Sequence, residues 1–205
     1  MVKPSIEDGK KLLKRLIRGD KNPVPESFIP HSVETSNIAH LVGCALYHNG
    51  YNIDLALARV SALLHDIGKR VVTPDQMKDD PELVLDGIYG YKYLKGIGYH
   101  EVADVILPNF TNKEEYELGS DMFPPEITPE QLIPKTYEQK LVVYADTHVT
   151  GEGNYVSFNQ RMSDIRRRYE KDSLLIKSLD IGGEARLKNL NNEINEKAGL
   201  MPLQI

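Results

Sequence analysis

Apolar residues recur at steps of three and four along most of this chain, a period that belongs to helices with one buried face. From His31 to Gly50 they fall at Ile38, Leu41, Val42, Ala45 and Leu46, with Pro30 just before and Gly50 where a helix C-cap belongs. Asp54 is the expected N-cap of a second helix over LALARVSALLHDIG, which Gly68 is expected to stop. Shorter helices are expected over residues 83–94 and 100–107, an apolar one over 137–149, and one with charges on a single face over 158–169. The tail carries Leu187, Leu190 and Ile194 on an amphipathic helix, whose apolar face is an expected surface for a homo-oligomer. Residues 108–135 are rich in proline and acid and read as a long loop with short turns. No segment alternates as a half-buried strand must, and Val71-Val72-Thr73 is too short to count. The expected fold class is all-α: one compact helical bundle over residues 1–205, with its core at about 28–170 and a helical extension over 171–205.

Composition narrows the class without changing that picture. With 205 residues, 40% of them hydrophobic, the chain is long enough to bury a substantial core. No apolar run is long enough to span a bilayer. The N-terminal MVKPSIEDGKKLLKRLIRG reads as a short amphipathic helix, because charges interrupt it throughout. Cys44 is the single cysteine, so neither a disulfide framework nor a thiolate zinc site is expected, and a cytoplasmic location is the default. A net charge of -5, with Arg166-Arg167-Arg168 the one basic run, disfavours a nucleic-acid polymer as partner. One positive pocket for a small anion remains compatible with it.

The candidate chemistry centres on the string Ala62-Leu63-Leu64-His65-Asp66-Ile67-Gly68-Lys69. Adjacent side chains on a helix diverge by about 100°, yet an imidazole and a carboxylate can share an ion that lies over the edge between them. The end of a helix is the natural place, and the remaining ligands must come from elsewhere in the chain.

His-Asp-Ile-Gly-Lys after an apolar helix resembles the motif of the HD superfamily of metal-dependent phosphohydrolases. An earlier histidine at a helix start also resembles the family pattern: His31-Ser32, followed by Thr35, Ser36, Ile38, Ala39, Val42 and Gly43 at the family's small or apolar positions. So does a later Ala-Asp closing an apolar run, Leu141-Val142-Val143-Tyr144-Ala145-Asp146. The resemblance spans about residues 28–170. It implies that His31, His65, Asp66 and Asp146 hold a divalent ion such as Mn, Fe, Co, Ni, Zn or Mg. Helix geometry agrees with leaving other histidines out. His40 is rotated about 180° from His31, His148 about 200° from Asp146, and His48 lies turns away.

Two departures from the family bear on the metal count. Where two-metal relatives carry a His-Gly pair, this chain has Asp86-Gly87, and where another histidine ends the next helix it has Asn109. One tight ion is therefore expected, with Asp86 open as a ligand for a weak second one. The implied activity is hydrolysis of a phosphoester in a small phosphorylated metabolite, first a nucleotide. Asp66 and Lys69 are the catalytic candidates, and Lys69, Asp86 and Asn109 the substrate-binding ones. Lys69 also reads as a cation at a helix end, and Glu34 as a surface residue one turn from His31. Tyr89, Tyr91 and Tyr93 offer a ring for a base or for packing. A non-catalytic nucleotide-binding regulatory protein on the same scaffold stays open. A di-iron oxygenase would need the absent histidines.

Overall fold

Backbone partners decide where the helices of this chain begin and end. The computed structural model describes residues 4–17, 28–73, 75 and 85–200. In chain order the α-helices are α1 (Ile6–Ile17), α2 (Phe28–His48), α3 (Leu55–Leu64), α4 (Gly68–Val71), α5 (Asp86–Gly96), α6 (His100–Ile106) and α7 (Asn112–Leu118). They continue with α8 (Tyr137–Asp146), α9 (Phe158–Arg168), α10 (Leu174–Ser178) and α11 (Glu184–Ala198). Asp54 caps α3, its Oδ1 accepting the Leu57 amide at 2.9 Å. Thr136 and Ser157 close capping boxes at the starts of α8 and α9 with Gln139 and Gln160. Gly50 takes φ 88° after α2, as a C-terminal glycine should. Among the described residues the only β pairing is an isolated bridge between Val149 and Tyr155, so the fold is all-α as expected.

The central layer is α2, α3 and α8, which pack on one another, with α1 and α6 against α3 and α11 against α2 and α8. Ala39, Leu46, Ala58, Ala62, Leu141 and Ala145 are fully buried between them. Leu187, Leu190 and Ile194 of α11 join that same core, so the apolar face of the tail helix is occupied within the chain. Among the described residues, no helix is long and apolar enough to cross a membrane.

Several expected boundaries are corrected. Helix α2 begins at Phe28, taking Pro30 into its first turn. Gly68 does not stop a helix; it opens α4 after the turn at residues 65–67. Its missing side chain serves space, because a Cβ there would lie 1.6 Å from the Asp86 carbonyl oxygen and push α4 off α5. Helix α8 ends at Asp146 rather than 149, where Thr147 Oγ1 donates back to the Tyr144 carbonyl. The stretch 108–135 is not all loop: it holds α7 and two 3-10 turns, Ser120–Met122 and Pro129–Leu132. Helix α10 falls within the helical extension expected over 171–205. Residues 83 and 84 of the expected 83–94 helix, and 1–3, 18 and 19 of the N-terminal segment, lie outside the described residues.

Candidate metal centre

His31 stands in the first turn of α2, and its ring is held from behind. Nδ1 lies 3.0 Å from the Thr150 carbonyl oxygen. A carbonyl can only accept, so Nδ1 carries a proton, and in the neutral ring that ligation requires Nε2 is left with the lone pair. Thr150 is delivered by the turn after α8, which crosses the start of α2 at Gly153. That residue has φ +83°, and a Cβ on it would meet Pro30 at 2.7 Å. Only glycine satisfies both demands.

His65 and Asp66 follow α3 directly. His65 Nδ1 lies 2.8 Å from the Ala62 carbonyl, which fixes the same tautomer. With both rings neutral, the two Nε2 lone pairs face each other at 3.2 Å. Nε2 of His31 lies 3.3 Å from Asp146 Oδ1 and 3.7 Å from Asp66 Oδ2. Nε2 of His65 lies 3.6 Å from Asp66 Oδ1 and 3.8 Å from Asp146 Oδ1. Two imidazole lone pairs and two carboxylates thus converge in a buried spot, an arrangement that repels itself unless a cation sits within it. Around an ion with bonds of about 2.0–2.2 Å, neighbouring ligand atoms stand roughly 3–3.6 Å apart, so the donor set fits a first-row divalent metal. Among the described residues, His31, His65 and Asp66 form the only three-membered group of such ligands within 4.8 Å of one another, and Asp146 closes on both histidines beside it.

The electrostatics follow from burial and crowding. Burial pulls the His65 imidazole below its ordinary value, favouring the neutral form a ligand needs. Asp146 is buried too, yet His31 at 3.3 Å, His65 and Arg161 hold its carboxyl well below the usual range. Asp66 is likewise lowered in spite of burial, chiefly by the Lys69 ammonium 2.8 Å away. Lys69 also reaches Asp86 at 3.4 Å. Burial opposes its charge, but these two carboxylates raise its pKa and keep it a cation. Burial, with the Asp66 charge added, pushes the Asp86 carboxyl up to about 6 against the pull of Lys69.

A cavity of about 460 Å³ opens on Asp66 and Asp146 and is lined also by Lys69, Asp86 and Asn109. Five of the residues singled out for ligation or substrate contact therefore share this cavity, while His31 and His65 meet Asp66 and Asp146 without lining it. Asp86 touches Lys69 rather than the ligand cluster, and Asn109 Oδ1 accepts the neighbouring Phe110 amide at 2.9 Å. Glu34 is turned to Asn37, and His40 lies against Cys44. None of Tyr89, Tyr91 and Tyr93 lines the cavity; Tyr91 and Tyr93 pack on the cluster around Leu63 and Leu94.

Arg161 is the functional residue that sequence reasoning missed. It is buried, its Nε donates to the Asp146 carbonyl at 3.3 Å, and Nη2 reaches Asp146 Oδ1 at 3.5 Å. A signal was present: Phe158, Arg161, Met162 and Ile165 share one stripe of α9, so a lone cation stands among apolar residues facing inward. Phe110, Thr111 and Asn112 on the cavity wall carried no such signal.

Comparison with known proteins agrees with the geometry. The family model for the HD domain matches residues 28–149, from the start of α2 to just past Asp146. An uncharacterized protein of Methanocaldococcus jannaschii is 27% identical over 180 residues, which cover 85% of this chain and 92% of the relative. No solved structure matches the chain significantly.

Proposed function

Because the chain belongs to the HD domain family, we propose that it is a metal-dependent phosphohydrolase acting on a small phosphorylated metabolite, first a nucleotide. The observation that carries this reading is the pair of Nε2 lone pairs facing each other at 3.2 Å beside two carboxylates. His31, His65, Asp66 and Asp146 would hold one divalent ion. When bound, such an ion supplies a water of lowered pKa as nucleophile and neutralises charge on a phosphoryl oxygen.

The chain's own residues do the rest. Asp66, Asp86, Glu115, Asp146 and Glu170 outnumber Lys69, Arg161 and Arg168 on the cavity wall. An anionic substrate would be repelled by that surplus, so its binding depends on the ion's charge. Lys69 and Arg161 flank the ligand carboxylates and orient a phosphate against them as fixed cations. Lys69 serves as a cation and not as a base, since Asp66 and Asp86 hold its proton on. The absence of the family's middle-region histidines supports a single tight ion.

The test is phosphate release by purified protein from a panel of nucleotides and sugar phosphates, with each of several divalent metals. Release that requires a metal and disappears in chelator is expected. No release from any substrate with any metal would overturn the proposal.

A further inference from the structure

Among the described residues Phe110 is the only non-glycine residue with positive φ, at 27°. Side chains rarely take that backbone region, and it persists only where the surroundings over-determine it. Three elements do so here. The Phe110 amide donates to Asn109 Oδ1 at 2.9 Å, and the Phe110 carbonyl accepts from Arg186 Nη2 of α11. Arg186 is itself clamped by buried Glu114 of α7 through two bonds, Nε to Oε1 at 2.7 Å and Nη2 to Oε2 at 2.8 Å. A fork-to-fork pair of this kind fixes direction as well as distance.

The strained residue is also a wall of the cavity, alongside the apolar Ile165 and Leu175 and the polar Asn109, Thr111 and Asn112. Phe110 is partly buried and packs against the central core. We propose that Phe110 is a specificity-determining residue of this cavity: its ring, set on a clamped backbone, takes the flat, base-like part of a phosphorylated substrate whose phosphate lies among Asp66, Asp146, Lys69 and Arg161. This deepens the phosphohydrolase reading and rests on it for the position of the phosphate. An aromatic face rimmed by amide and hydroxyl groups suits a nucleobase, which stacks through its plane and bonds through its edge, better than a bare sugar.

The experiment compares binding of adenosine monophosphate and ribose 5-phosphate to the full-length protein as purified, by titration calorimetry. The wild type should bind the nucleotide about tenfold more tightly, the order of one lost base–aromatic stack. Phe110→Leu keeps apolar volume but loses the flat face. It should bring the nucleotide to within about twofold of ribose 5-phosphate and leave ribose 5-phosphate unchanged. Phe110→Met gives the same comparison should the leucine variant not fold. Arg186→Lys keeps the charge, loses the fork, and should shift the preference in the same direction by less. A wild type with no preference, a wild type that binds neither ligand, or a Phe110→Leu that weakens both equally or neither, overturns the inference. A preference for the nucleotide, with no phosphate release anywhere in the panel of substrates and metals above, would sink the phosphohydrolase reading and leave this one standing.

Discussion

The two ends of the cavity are built by different means. At the ligand end, His31, His65, Asp66 and Asp146 hang from α2, α3 and α8, which share a core with Leu141, Ala62 and Ala39 fully buried. The second nitrogen of each histidine is held by a backbone carbonyl. The far wall comes from short pieces, α7 and α10, with the irregular turn Leu179–Gly183 packed against both. Those pieces are tied by side-chain pairs such as Glu114–Arg186 and Arg166 with Asp180 and Glu184. Packing of long helices places the candidate metal ligands, and side-chain pairs place the wall on which selection among substrates is proposed.

Perturbing each end should therefore give different readouts. Asp66→Ala removes a charge and a ligand together; metal retained through dialysis, measured by elemental analysis, should fall from about one equivalent to background, and activity with it. Retention of the ion would break the ligand assignment. Gly153→Ala adds a side chain at φ +83° against Pro30 and displaces the Thr150 carbonyl from His31. Metal affinity, read by competition with a chromogenic chelator, should weaken about 10–100-fold, as when a ligating histidine loses its supporting partner. Arg161→Met, at the junction of the two ends, should lower kcat/KM about 10–100-fold at unchanged metal content, the size of a lost charged hydrogen bond. A change below about threefold would deny it a role on substrate.

At the wall the signs reverse. Glu114→Gln breaks a buried ion pair, a loss of about 3–5 kcal/mol. Thermal unfolding should come down by roughly 10 °C in a chain of this size, with metal stoichiometry untouched. Metal loss in that variant would erase the distinction between the two ends. The smallest effect is expected of Asp86→Asn: resting stoichiometry should stay at about one ion per chain. Two equivalents in the wild type, reduced to one by this change, would show Asp86 standing in for an absent histidine.

The same division governs what could be read from the sequence. His65 and Asp66 announce themselves by adjacency within a specific string. His31 and Asp146 become visible once that string resembles a family whose other ligands open and close apolar helices. The wall had no comparable marker. Composition made residues 108–135 look like loop, because Glu114 and Glu115 of α7 suggest solvent, yet both are buried, one on Arg186 and the other on Thr111. Such pairings join residues that nothing in the local pattern relates. Positive φ at a phenylalanine is likewise a product of tertiary restraint rather than propensity. Arg161 lies between these cases: its place on the apolar stripe of α9 was legible, and its partner Asp146 was not.

The bond from His31 to the Thr150 carbonyl joins residues 119 positions apart. Contacts of such long range form late, after the chain has met the entropy of closing the loop between them. A nascent chain that has completed α3 already displays His65 and Asp66, yet it lacks both Asp146 and the carbonyl that orients His31. A divalent ion met at that stage has three of the four ligands, and of the two histidines only His65 has its tautomer supported, by the Ala62 carbonyl. A complete site thus awaits Asp146 and Thr150, and metal loading would report that α8 and the turn after it have docked. In a refolding experiment, uptake of the ion should trail the rise of helical signal and coincide with the last step of folding.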